Sequence, residues 1–154
     1  MKTVVVASAI AVCMLAAGAA PAAAQTCPHP GTVNGISVLI YCGSAKATVK
    51  AGAMTIPWKG GECKKAVGNF YVNFGDIVTE PTKHAPDSFQ VIATATHDGS
   101  YRGTTVMMTK SGKSYLGDSL TLTLTHNARA GTLTGTIEPT LTNGKLVFHA
   151  SFTC

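Results

Sequence analysis

The 154-residue chain carries five cysteines, a formal charge of +5 and 12% charged side chains. That length suits one domain with a sizeable core. The densest basic cluster, Lys64-Lys65, is too small for nucleic acid, which asks for a basic stripe interleaved with stacking aromatics.

The first element is a leader. Lys2 gives a positive start, residues 3–15 are small and apolar, and an Ala-rich stretch ends in a small-residue cleavage site after Ala24. The pattern predicts an exported protein, periplasmic or secreted, whose mature chain begins at Gln25. The apolar run is too short and too rich in alanine for a membrane span, which needs roughly 20 strongly apolar residues, so no stable membrane insertion is expected after cleavage. Neither Cys13 after Val12 nor Cys27 after Gln25-Thr26 fits a lipoprotein acylation signal. Cys13 leaves with the leader. Cys27, Cys42, Cys63 and Cys154 remain, and an even count in an exported chain predicts two disulfides. Loss of Lys2 leaves eleven basic and seven acidic side chains, a formal charge of +4. Weak attraction to an anionic polymer or lipid surface is the most that this charge supports.

Residues 25–154 alternate between apolar and polar. Phe70, Val72 and Phe74 share one face. Leu120, Leu122 and Leu124 share another, with threonines opposite. Leu146, Phe148, Ala150, Phe152 and Cys154 repeat the pattern. Period two predicts half-buried strands near 36–42, 45–50, 53–58, 69–75, 88–97, 101–109, 118–126, 131–138 and 145–153. Asp98-Gly99 and Asn143-Gly144 predict tight hairpins, Ser111-Gly112 a weaker one, and 127–131 a longer loop. A looser connection is expected near 79–87, around Pro81 and Pro86. Residues 62–67 admit a short helix, although Gly60-Gly61 and Gly68 favour a turn. The expectation is an all-β fold: a single antiparallel β-sandwich or flattened barrel.

Four cysteines allow three pairings. Cys154 and Cys42 both fall on the apolar faces of their strands, and Cys63 lies in a turn-like stretch. Residues alone leave the connectivity open.

Three segments carry a resemblance. They are Val49-Lys-Ala-Gly-Ala-Met-Thr-Ile-Pro-Trp-Lys-Gly-Gly-Glu-Cys63, Gly68-Asn-Phe-Tyr-Val-Asn-Phe-Gly75 and Gly144-Lys-Leu-Val-Phe-His-Ala-Ser-Phe-Thr-Cys154. Together they cover about half of the mature chain, and the layout resembles that of the mycobacterial surface lipoprotein antigens and related small exported actinobacterial β-proteins. The resemblance implies a Cys63–Cys154 bond, which leaves Cys27–Cys42 as the second. It implies no catalytic residues. The chain departs from those antigens in lacking their lipidation signal.

A search for chemistry gives little. No Gly-x-Ser-x-Gly elbow occurs, and His97-Asp98-Gly99-Ser100 reads as an ordinary hairpin turn. Glu62, Asp76, Glu80, Asp87, Asp98, Asp118 and Glu138 fall mostly at turns or strand ends, where solvation explains them. His29, His84, His97, His126 and His149 lack metal-ligand spacing, although His126 and His149 suit approach across adjacent strands. Met107 and Met108 point to opposite faces. Trp58 shares a strand face with Met54 and Ile56 and is expected in the core. Exposed beside Tyr41, Tyr71 or Tyr101, it would instead form a stacking platform for carbohydrate. The threonines at 121, 123, 125, 132, 134 and 136 read as a solvent face of strands, of a kind that also suits ordered water or glycans. No catalytic, metal or cofactor residues are assigned. The leading expectation is a non-enzymatic, disulfide-stapled domain that contacts an envelope polymer or protein. Two others are a carrier of a small apolar ligand between its sheets, and a small secreted metalloprotein or hydrolase.

Overall fold

A computed structural model of the chain describes residues 27–79 and 85–154. The leader assigned to residues 1–24 lies outside the described residues, as do Glu80, Pro81, Lys83 and His84. The alternating segments form ten strands: β1 His29–Val33, β2 Ile36–Ile40, β3 Ala45–Ala51, β4 Met54–Ala66, β5 Asn69–Val78, β6 Ser88–Ala93, β7 Gly99–Lys110, β8 Lys113–Thr125, β9 Ala130–Pro139 and β10 Leu146–Thr153. No helix among them is long and apolar enough to cross a membrane.

Strands β3 to β10 run as a continuous antiparallel meander, each paired with the next in sequence. The last strand then pairs with the first of the eight, from Phe148↔Ala51 to Thr153↔Lys46. This pairing closes an eight-stranded barrel and excludes the two-sheet sandwich expected as one of two options. Closure leaves these strands no free edge. The β1–β2 hairpin stays outside the ring. It extends the barrel wall by pairing Val38, Leu39 and Ile40 with the end of β5.

Eight strands enclose a space just wide enough for side chains to fill or for one small ligand. Here side chains fill it. Phe70, Phe74, Phe89, Phe148, Leu120, Leu122, Leu124 and Leu133 are all fully buried. Small residues flank large ones across the ladders. Phe148 sits between Ala51 and Gly135, and Phe152 between Ala47 and Gly131. A Cβ at Gly131 would run into the Phe152 ring, so glycine there makes room for phenylalanine. Phe89 packs at 6.0–6.3 Å from the rings of Phe74, Trp58 and Phe148, within the range of favourable aromatic contact.

Turn chemistry explains the hairpins, with changes from expectation. Ser111-Gly112 is a two-residue turn with φ of 51° and 74°, matching the twist of its strands. Asn34-Gly35, with φ of 50° and 79°, joins β1 to β2 in the same way, and β1 itself was not expected. Asn143-Gly144 is no tight hairpin: it lies in the loop 140–145 between β9 and β10. Strand β6 stops at Ala93, so Asp98-Gly99 closes a longer connection. The stretch 62–67 is neither helix nor simple turn, because β4 continues to Ala66 and Gly60 is the extra residue of a bulge, with φ of 76°. The bulge shifts the alternation by one, which turns both Trp58 and Cys63 toward the core.

The disulfides are Cys27–Cys42 and Cys63–Cys154, each with 5.6 Å between Cα atoms. Two such bonds are the mark of chains that fold in an oxidising, exported environment. The first continues the β1–β2 register beyond His29↔Ile40 and closes the open end of that hairpin, opposite its turn. Cys42 therefore does not bond Cys154, as its apolar strand face had left open. The second joins β4 to the end of β10 beyond the start of β3, which separates them in the ring.

Candidate functional site

With the interior occupied, the outer wall carries the accessible chemistry. On most of that wall, outward side chains alternate singly with the core. Several shallow clefts interrupt it; where the β1–β2 hairpin joins the wall, residues from three strands face one of about 350 Å3.

Tyr41 enters it from just beyond β2, held by its backbone N–H donating to the Gly75 carbonyl at 3.3 Å. Tyr71 stands on the outer face of β5, between Lys64 of β4 and Ile92 of β6. Glu62 lies directly opposite Asn73 two pairs along. Pro28 and Leu39 form the apolar side. The bulge at Gly60 creates this arrangement, because the shifted alternation brings Glu62 and Lys64 outward. Burial, and then the negative charge of Glu62, raise the Tyr41 phenol above its ordinary pKa, so it stays a neutral hydrogen-bonding group. Neither Glu62 nor Lys64 takes part in an ion pair among the described residues, where the pairs are Lys110–Asp87 and Lys145–Glu138. Two partly exposed phenol rings, a carboxylate and an ammonium thus line the cleft, above the largely buried amide of Asn73. That set suits a polyol: rings offer apolar faces, and the polar groups take hydroxyls as donors or acceptors.

A second cleft, of about 640 Å3, lies between Ile77 and Val78 on one side and the outward Met107 and Leu116 on the other. It borders Ala85, next to residues outside the described set, and no site is assigned to it.

The other sequence candidates disperse. Trp58 is buried, 8% exposed, and cannot be a platform; its Nε1 has no hydrogen-bond partner. Met108 is in the core while Met107 is exposed. His149 stands between Thr134 and Lys50 on the outer face of β10. His126 lies in the turn after β8, so β9 separates it from His149, and the approach that their strand positions allowed does not occur. Among the described residues no three His, Cys, Asp or Glu side chains gather as metal ligands. His97 and Tyr101 are in edge contact at 6.1 Å, and the Tyr101 hydroxyl donates to the His97 carbonyl at 2.8 Å.

Asp98 has a structural task that its turn-like sequence did not suggest. Its carboxylate accepts the N–H of Ala128 at 2.7 Å and of Asn127 at 3.0 Å. Those two bonds, in that order, lower its pKa. His126, Asn127 and Ala128 all have φ of 58–59°, a left-handed run that costs non-glycine residues about 1–2 kcal/mol each. Asp98 holds this run in place. Lys65 Nζ donates to the Asn127 carbonyl at 3.0 Å, and the Cys154 N–H to the Arg129 carbonyl at 2.7 Å. The Cys63–Cys154 bond, Asp98 and Lys65 thus fasten one end of the barrel.

Comparison with protein-family models, with curated proteins and with solved structures finds no significant match to this chain.

Proposed function

We propose that this protein is an exported binding domain that works through its outer wall and engages a carbohydrate polymer of the cell envelope in the Tyr41–Tyr71 cleft. The observation that carries the reading is the filled barrel: aromatic and branched side chains occupy the space where a carrier of this strand number would hold its ligand. A ligand must therefore meet the surface. The cleft is where that surface combines aromatic rings with converging polar groups. A wall fastened by two disulfides presents these groups with little ordering cost on binding. Nothing in the arrangement calls for a bond to be broken, so the role is recognition without catalysis.

The test is a binding titration of the mature, oxidised protein against purified envelope polysaccharide and its oligosaccharides. Tyr71→Ala is expected to weaken binding roughly tenfold, equivalent to about 1.4 kcal/mol, with unchanged circular dichroism. Retention of full affinity in both Tyr41→Ala and Tyr71→Ala would sink the assignment.

A further inference from the structure

A separate part of the wall has a different character. The outer faces of β3, β9 and β10 carry hydroxyls and cations in register. Lys50 pairs with His149, which pairs with Thr134; Thr48 pairs with Ser151, which pairs with Thr132. All six are exposed. Lys46 lies directly opposite Lys59 of β4, and both are exposed.

Two like charges facing each other across a ladder destabilise the sheet. No acidic side chain pairs with them: β3 and β10 carry none, and Glu62 of β4 lies beyond the Gly60 bulge and takes part in no ion pair among the described residues. The one on β9, Glu138, is engaged by Lys145 at 3.3 Å. Lys46, Lys50 and Lys59 take part in no ion pair among the described residues. Lys46 and Lys50 lie four residues apart on one strand, about 13 Å at ~3.3 Å per residue. The face is therefore an extended cationic strip, bordered by hydroxyls and unneutralised by its own protein.

We infer that this strip binds a linear polyanion of polyol units joined by phosphodiesters, lying across β4, β3, β10 and β9. Charge complementarity sets the sign of the partner. Lysine ammonium groups act as point charges suited to phosphate, and the threonine and serine hydroxyls meet the polyol. A single-stranded nucleic acid would need a series of stacking rings, of which this face has one, His149. A membrane surface would need a penetrating apolar rim, of which Val147 alone is present at one end. The site is distinct from the Tyr41–Tyr71 cleft and stands without it.

The experiment titrates the mature protein with poly(glycerol phosphate) at several salt concentrations. Three lysine contacts predict a slope near −2 in log K against log salt, or roughly 20-fold weaker binding between about 50 and about 200 mM. Lys46→Gln with Lys50→Gln and Lys59→Gln is expected to lose at least about tenfold in affinity at low salt. A control that removes two charges elsewhere, Arg102→Gln with Lys113→Gln, is expected to stay within about twofold of the parent. Tyr71→Ala is expected to bind this polymer normally, which separates the two sites. Equal loss in the control, no loss in the lysine variant, a flat salt dependence, or stronger binding to polyuronate or to vesicles of anionic phospholipid would each overturn the inference.

Discussion

Replacing Cys63 and Cys154 together by serine is expected to weaken the fold more than any other paired change at the rim. The bond closes a sequence separation of 91 residues, and the chain-entropy relation gives about 4.6 kcal/mol for that loop. The separation of 15 in Cys27–Cys42 gives about 3 kcal/mol. Structure widens the difference. Cys63–Cys154 spans the wall beyond the start of β3, between strands that are not hydrogen-bonded neighbours. Cys27–Cys42 closes a hairpin outside the ring, whose second strand touches β5 at three pairs. Its loss should loosen the hairpin and leave the eight-stranded barrel largely cooperative. In urea, monitored through buried Trp58, the Cys63/Cys154 variant should unfold at a midpoint lower by roughly 2 M for a slope of about 2 kcal/mol/M. The Cys27/Cys42 variant should shift by clearly less. Equal shifts, or a larger one for Cys27/Cys42, would refute the assignment of the terminal bond as the main staple.

Phe89→Ala empties the centre of the ring cluster and should cost about 3–5 kcal/mol in urea unfolding; a loss below about 1 kcal/mol would mean that the interior is not tightly packed. Asp98 has a lowered pKa in the folded state, so its stabilisation is complete above its unfolded value and is lost as pH falls through the lower folded one. Asp98→Asn should therefore flatten the acid limb of the stability profile below about pH 4, and an unchanged limb would contradict the clamp. Gly75→Ala should disrupt the pairing of β5 with the start of β6, because φ there is +76° and a Cβ would collide with the Asp87 carbonyl. Urea unfolding reads that loss, and an unchanged midpoint would argue against it.

The strands were legible wherever alternation was uninterrupted, as in Leu120–Leu124 and Leu146–Phe152, because a strand exposed on one face writes its burial directly into the sequence. Glycine hid the rest. Gly60-Gly61 has no side chain to show the period, and the bulge reverses it, so the second half of β4 read as turn or helix. The signal for β1 was present in Asn34-Gly35 between Val33 and Ile36, but the strand is short and contains Pro30. Barrel rather than sandwich turns on β10 pairing with β3, a contact between distant segments that local periodicity does not encode. The Tyr41–Tyr71 cleft was missed for a related reason. Both tyrosines stand out in the sequence as partners for an exposed Trp58, yet the wall that joins them depends on the Gly60 bulge and on Tyr41 reaching across to Gly75. The positions of Lys46 and Lys59 were visible, while their direct opposition needed the ladder register.

Amide chemical-shift mapping of the labelled, oxidised protein during titration with envelope polysaccharide addresses the claim that recognition occurs on the outer wall. The account predicts shifts at outward positions around Tyr41, Glu62, Tyr71 and Asn73, with Phe89, Leu122 and Trp58 unmoved. Shifts centred on those inward residues would place the ligand within the barrel and contradict it.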